Sequence, residues 1–348
     1  MRARSTSIVA AVGALSIGFA ALTGCAPTGA QSDEVTPEIV AVNPELATLP
    51  DIPVVEDIAY GGTEERPLLL DACLPKEEDE GPVQNAGGEG GDDGPTAAGP
   101  RLQEPDEPLR AAIVVVHGGS WIRGDKADIA WRAVCQWFAS AGYVAVSINY
   151  RVAPANVFPA AIDDVQAAVA WLRADEQLTR FHVDPDRIGA FGGSAGGNLV
   201  ALLGTLGSGD LSTGSRVAAV AELSGPTDLT GLATTDDFLP VQLAYLGCAK
   251  EEDCPTAIAA SPFYAIDASD PPFFVGHSTV EKIPVEQAEL FVGGLRAAGV
   301  ATEFVTVEGA LHSIAMLDAH LKARIIEFFD GTIGTPSDPL VQPGGGAG

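Results

Sequence analysis

One stretch of fifteen residues restricts the fold of this chain more than any other: 187–201, reading RIGAFGGSAGGNLVA. Residues 188–191 form a short apolar run, Gly192-Gly193-Ser194-Ala195-Gly196 follows at once, and Asn198, Leu199 and Ala201 continue with helical character. A strand therefore turns sharply into a helix around one serine. A serine at so tight a turn holds its hydroxyl clear of a sheet only where its neighbours lack Cβ atoms to collide with it, which is why glycines flank it. The helix behind it presents backbone N–H groups and the positive end of its dipole to any negative charge that develops there. In a chain with 40 glycines among 348 residues, G-x-S-x-G spacing alone is a weak signal. Its place between a strand and a helix makes it a strong one, and makes Ser194 the candidate nucleophile.

The flanking sequence supplies a sheet for that turn. VVEDIAYG at 54–61 and RPLLLDACLP at 66–75 read as two strands of an early hairpin. AAIVVV at 111–116 is apolar without alternation, as in a parallel strand buried on both faces. HGGSW follows at 117–121, then Gly124-Asp125-Lys126. A helix at 131–141, a strand at 143–149, NYRVAP at 149–154, a helix at 159–173 and a turn at Asp184-Pro185-Asp186 lead to the serine. Beyond it come a strand at 217–223, an insertion of helices and loops at about 224–261, and a strand at 272–276. A helix at 284–298, a last strand at 302–307, a loop at 308–313 and a closing helix at 317–329 complete the pattern. This alternation predicts the α/β class, with a mostly parallel central sheet and helices on both faces. The folded body amounts to roughly 240 residues, which suits one domain.

Three stretches fall outside the pattern. Arg2 and Arg4 precede an apolar run at 8–22, which predicts a secretory signal peptide over 1–24. The run is shorter than the roughly 20 residues a spanning helix needs. Leu22-Thr23-Gly24-Cys25 resembles a bacterial lipobox, which implies cleavage before Cys25, lipidation of its thiol and anchoring to the outer face of the cell membrane. Residues 25–50 are expected to form a flexible tether, ahead of a domain over 51–331 whose first strand begins near Val54. Residues 76–108 hold ten acidic and two basic side chains, many Gly and Pro, and almost no large apolar group. Such a stretch buries too little to offset ordering entropy, so a disordered surface loop is expected; a calcium loop at its EGGDDG lacks well-spaced oxygen ligands. It accounts for much of the net charge of −28, and that acidity argues against a nucleic-acid partner. Residues 332–348 read as a flexible Pro/Gly tail.

HGGSW, NYRVAP, FPAAIDDVQAAVAWLR, DPDRI and GGSAGGN occur in this order over most of the folded body. Together they resemble the α/β-hydrolase carboxylesterases, and within that fold the bacterial feruloyl-esterase and hormone-sensitive-lipase-like branch. The resemblance implies an α/β-hydrolase fold and a triad in chain order serine, acid, histidine. Ser194 is then the nucleophile, and His312, in the loop after the last strand (EGALHS), the base. His117 opens the HGGS loop, His182 precedes DPDRI and His320 lies in the last helix, positions that suit structural roles. For the acid, the family usually reads H-G-x-x-D followed closely by V-P. Here the stretch is HSTVEKIP at 277–284, with Ser278 for glycine, a glutamate for aspartate and one residue fewer before the proline. Glu281 is the acid implied, since that residue need only orient the histidine and stabilise its imidazolium. Asp270 and Glu308 are its rivals. The oxyanion hole is expected from backbone N–H groups of Gly119, Ser120 and Ala195. Trp121 reads equally as acyl-pocket wall or as core, and Asp163 and Asp164 as pins for the NYRVAP loop.

Besides Cys25, four cysteines remain in a chain expected to enter an oxidising space. Cys248 and Cys254 flank a short acidic turn and are expected to bridge, which leaves Cys73–Cys135 as the second bridge. No His/Cys cluster has metal-ligand spacing, so no metal and no cofactor are expected. The expected function is serine-dependent hydrolysis of short-chain acyl, acetyl or small aromatic esters through an acyl-enzyme. An amidase or peptidase on the same triad is one rival. A surface-tethered binding protein on an inactive hydrolase fold is the other, and the altered HSTVEK stretch is its only support.

Overall fold

A computed structural model describes residues 46–76, 109–231, 235 and 237–334. The expectations for the signal peptide, for Cys25 and the tether up to residue 45, for the acidic stretch 77–108 and for the tail from 335 lie outside the described residues. Strands β1 (Val54–Thr63), β2 (Arg66–Cys73) and β3 (Arg110–Val116) lead to helix α1 (Ile129–Ser140), strand β4 (Val144–Ile148) and helices α2 (Ala160–Leu172) and α3 (Asp175–Phe181). Strand β5 (Val183–Gly193) runs into helix α4 (Ala195–Thr205), and strand β6 (Ala219–Leu223) follows. The insertion holds α5 (Leu239–Leu246) and α6 (Thr256–Ala259). Strand β7 (Phe273–Ser278), helix α7 (Val285–Ala297), strand β8 (Thr302–Val307) and helix α8 (Ala319–Thr332) close the fold.

The eight strands form one sheet in the order β1-β2-β4-β3-β5-β6-β7-β8. β1–β2 and β2–β4 pair antiparallel; every pair from β4 to β8 is parallel. The expected mostly parallel α/β-hydrolase sheet is therefore present. β3 shows why its run is unbroken. Ala112, Val114 and Val116 pack into one core with α2, α4 and α7, while Ala111, Ile113 and Val115 pack into another with α1 and α8. With period-two side chains and helices on both faces, no position on such a strand faces water. The chain leaves β3 for β4 on one side and returns to β5 on the other, so the carboxyl ends of β3 and β5 border a topological switch point, where ligands of open α/β sheets bind.

Three boundaries differ from expectation. Leu46 and Ile52 are buried against Trp131, Val134 and Phe138 in the second core, and the Leu49 N–H donates to Gln136 Oε1 at 2.9 Å. The ordered body thus reaches back to Leu46, where apolar burial overrides a tether-like composition. At the other end α8 continues through Thr332 and Ile333 is buried, so residues 332 and 333, expected in the tail, belong to the fold. Asp184-Pro185-Asp186 lies inside β5 as an irregularity: Arg110 pairs with Val183 and Ala112 with Ile188, so four intervening residues of β5 bulge opposite Ala111. Cys73–Cys135 and Cys248–Cys254 are disulfides, with Cα–Cα distances of 5.9 and 5.4 Å. The first ties β2 to α1; the second closes the rim of the insertion.

Candidate active site

Ser194, Ala195, Gly119, Ser120, Glu281 and His312 all lie at or just beyond carboxyl ends of the parallel strands. Ser194 stands between β5 and α4 at φ 57°, ψ −123°, a conformation that non-glycine residues adopt only when their surroundings impose it. Its N–H donates to the Leu223 carbonyl at the end of β6 at 2.8 Å. Gly196 allows the turn: a Cβ there would lie 2.1 Å from the Val116 carbonyl oxygen, so only glycine lets α4 start against the end of β3. That close approach sets Ala195, whose N–H as the first of the helix has no intrahelical acceptor, beside the loop after β3.

The loop at 117–126 is shaped by its backbone. Gly119 has φ +122°, a Cβ on it would meet the Arg123 carbonyl at 2.1 Å, and Ser120 and Trp121 also have positive φ. Ile122 and Arg123 donate to the Gly119 carbonyl at 3.1 and 3.2 Å, while among the described residues no acceptor meets the N–H groups of Gly119 and Ser120. His117 stacks on Tyr150 at 4.3 Å, and its Nδ1 donates to the Gly118 carbonyl at 2.7 Å. Burial holds its pKa below the usual histidine range, so it serves as a neutral structural ring. Trp121 is fully buried: it stacks on Tyr245 of α5 at 4.4 Å and donates from Nε1 to Asn198 Oδ1 of α4 at 3.2 Å. Of its two readings, core is the one the contacts support. The loop is anchored at its far end by Lys126, whose Nζ reaches Asp71 Oδ1 at 2.6 Å and Asp57 Oδ1 at 2.8 Å. Arg132 meets the other Asp71 oxygen at 2.9 Å. Asp164 takes the pinning role: it accepts from the Arg151 N–H at 2.8 Å and from its guanidinium.

On the other side of Ser194, the loop after β7 brings Glu281 to His312. The Glu281 side chain is fully buried, and its Oε2 accepts a hydrogen bond from His312 Nδ1. Oε1 lies 3.3 Å from His277 Nε2 and 3.5 Å from the Ser278 N–H. His277 is buried too, and its Nε2 donates to the Ile283 carbonyl at 2.8 Å; burial keeps its pKa low, so it is a neutral ring packed beside the carboxylate. The rivals stand elsewhere. Asp270 precedes β7, at the opposite end of the sheet, and faces Arg216 at 3.8 Å. Glu308 is exposed just past β8. His312 Nε2 is buried with no partner among the described residues. The His312 loop touches the serine turn directly, since a Cβ on Gly193 would lie 2.0 Å from Ser313 Oγ. His182 and His320 lie away from this assembly, at the end of α3 and within α8.

Two groups here had no role in the sequence reading. His277 was hidden as part of a divergent motif. Glu222, fully buried on β6, is a charged residue in the apolar run AVAEL, and that anomaly was its one signal. Its Oε2 accepts the Gly225 N–H at 2.7 Å while Oε1 has no partner among the described residues. Burial, with a smaller push from Glu281, raises its pKa to about 8, so at neutral pH it is a carboxylic acid.

The arrangement offers a serine hydroxyl on a strained turn, a histidine whose carboxylate contact fixes its proton on Nδ1, and backbone donors across from them. The BD-FAE family model matches residues 102–295, a little over half of the chain; the match includes Ser194 and Glu281 and ends before His312. Esterase LipC of Mycobacterium tuberculosis is 34% identical over 229 residues, covering 61% of this chain and 56% of that protein. Esterase LipQ of the same organism is 32% identical over 238 residues, covering 64% and 56%. The chain thus spans about half the length of the curated relatives it matches. A solved thermophilic esterase from the Planctomycetes species Thermogutta terrifontis superposes with a TM-score of 0.58 at 26% identity, covering 79% of this chain and 91% of that one.

Proposed function

The chain belongs to the BD-FAE family, and from that premise we propose that it is a serine carboxylic-ester hydrolase. The observation that carries the reading is the contact of His312 Nδ1 with the buried Glu281 carboxyl, on a ring whose Nε2 has no partner among the described residues. With Nδ1 committed to the buried Glu281 carboxylate, the ring keeps its proton there, and the unpartnered Nε2 holds the lone pair a general base needs. Ser194 Oγ attacks the ester carbonyl and passes its proton to His312 Nε2. The resulting oxyanion is held by the N–H groups of Gly119, Ser120 and Ala195. Collapse expels the alcohol, which takes the proton from Nε2, and leaves an acyl group on Ser194. Water, deprotonated by the same Nε2, attacks the acyl carbonyl, and Ser194 recovers its proton as the acid leaves. Glu281 orients the ring and stabilises the imidazolium in both halves. The names of LipC, LipQ and the Thermogutta terrifontis protein, each an esterase, support the reaction class.

Short-chain acyl, acetyl or small aromatic esters are the substrates we propose. The described helices of the insertion are short, α5 of eight residues and α6 of four, which favours small acyl groups over long chains. Hydrolysis of p-nitrophenyl esters from acetate to palmitate tests both points. Activity should peak at short chains and fall by about 10³-fold or more in Ser194→Ala. A maximum at palmitate overturns the substrate class, and full activity in Ser194→Ala overturns the mechanism. We also propose that the protein is exported and held at the membrane by a lipid on Cys25, on the strength of the 22–25 motif. Labelled fatty acid should enter the wild type and not Cys25→Ala, which should appear in the soluble fraction; label in Cys25→Ala excludes that site.

A further inference from the structure

The peptide groups on either side of His312 are each held by a serine hydroxyl, and the two serines come from different strand ends. Ser278, the last residue of β7, donates its hydroxyl to the Leu311 carbonyl. Ser224, one residue past β6, accepts the Ser313 N–H on Oγ at 2.9 Å. Both serines are fully buried. Ser224 is itself fixed: its N–H donates to the Gly276 carbonyl at 2.9 Å, its φ is 55°, and the next peptide, at Gly225, is bonded to Glu222 Oε2 at 2.7 Å. The residue before it, Leu223, accepts the N–H of Ser194 at 2.8 Å. One strand end therefore grips the backbone of Ser194 and, one residue later, the backbone beside His312.

We propose that Ser224 and Ser278 are a pair of positioning residues that clamp the peptides flanking His312 and so set where its imidazole stands between Ser194 and Glu281. This rests on the reading of those three residues as a triad. The physical need is specific. His312 lies outside any strand or α-helix, at the cap of a single 3-10 turn (Ser313–Met316) whose bond to it comes from the Ala315 N–H at 3.2 Å, so no ladder of a strand or α-helix fixes its backbone. A displacement of about 1 Å in such a group costs on the order of 10²-fold in rate. A hydroxyl that donates on one side and one that accepts on the other resist both a slide and a rotation of the segment.

The test uses the full chain as wild type, Ser278→Ala, Ser224→Gly, the double variant, and Ser194→Ala and His312→Ala for reference. Glycine suits the positive φ at 224 and removes only the acceptor. Two readouts are taken: steady-state kinetics on p-nitrophenyl acetate, and the downfield proton resonance of the His312 Nδ1–H bonded to Glu281. Each single variant should lower kcat about 10-fold and the double about 100-fold, with KM within about twofold. The resonance should broaden or shift in the same order. Serines that merely satisfy buried backbone groups would leave kcat and the resonance unchanged and alter only the melting temperature, which overturns the clamp. If Ser194→Ala and His312→Ala are inactive while the serine variants match wild type, the triad stands and the clamp fails. If Ser194→Ala retains activity, the triad reading fails, and an unperturbed resonance in the double variant still decides against the clamp.

Discussion

On the β3 side of Ser194, the loop at 117–126 holds its place through backbone shape. Its positive φ values at Gly119, Ser120 and Trp121 fold it onto itself, and one buried ion pair, Lys126 with Asp71, moors it at a distance. On the β7–β8 side, position comes from side chains: Glu281 between His277 and His312, and serine hydroxyls on the peptides around His312. On the proposed mechanism the two halves do different work. An oxyanion hole needs N–H vectors aimed at a point, which a strained backbone supplies without side chains in the way. A general base must change its protonation state during the reaction, so its surroundings have to respond electrostatically, and only side chains with charge and dipole do that. Substitutions on the first side should therefore act through shape, and on the second through chemistry.

The largest effect should separate them outright. Glu281→Gln keeps volume but forces the amide to compete for the wrong His312 tautomer, and kcat should fall by about 10⁴-fold with the melting temperature nearly unchanged. Kinetics with calorimetry on the same samples reads this, and a loss under tenfold would remove Glu281 from the triad. On the other side, Gly119→Ala introduces only a methyl group, yet its Cβ would meet the Arg123 carbonyl at 2.1 Å. A drop of about 10²–10³-fold in kcat on short esters is expected, with phosphonate labelling of Ser194 slowed in parallel. Equal rates would mean that the loop has another backbone available. Lys126→Met breaks the mooring and leaves buried Asp71 with Arg132 as its one charged partner, so stability should fall by about 3 kcal/mol in urea unfolding, with a smaller loss of activity. Unchanged stability would show that Arg132 suffices.

The smallest effect concerns Glu222 and depends on pH. Its folded pKa, about 8, lies above the ordinary carboxylate value, so between those limits the folded protein holds a proton that the unfolded chain has released. The stabilisation this gives is complete below the unfolded pKa, declines as pH rises, and is lost above about 8. Glu222→Gln cannot ionise, but it buries two N–H donors in place of one O–H. The variant should be less stable than wild type at pH 5 and more stable at pH 9, by roughly 1–2 kcal/mol. Parallel melting curves across pH would show ionisation of Glu222 to be irrelevant.

Sequence alone carried the fold a long way, for identifiable reasons. Strands buried on both faces, such as 111–116, leave unbroken apolar runs, and a serine that must clear the sheet leaves glycines around it. His312 was legible because it stands in the loop after the last strand, where the family that the chain resembles keeps its base. What stayed hidden depends on contacts between distant residues. Ser224 and Ser313 are 89 positions apart, Ser278 and Leu311 are 33, and nothing local to a serine marks it as a brace. Leu46 was misread for the opposite reason: its neighbours look like linker, and only the second core, assembled from α1 and α8, makes room for it.

Trp121 has a consequence for traffic. Its indole lies flat against Tyr245 in the insertion and at the same time is hydrogen-bonded to Asn198 in the helix that begins at Ser194. Asn198 in turn donates to the carbonyls of Pro226 and Ala260, at the two edges of that insertion. A lid that swings needs a seam along which it parts from the body, and here the seam is riveted through the nucleophile's own helix. Opening it would unstack two large rings and strand the amide of Asn198. On the proposed ester chemistry, substrate and products would pass a rim held at this seam, so turnover should show no lag on a lipid–water interface and no gain in rate from one.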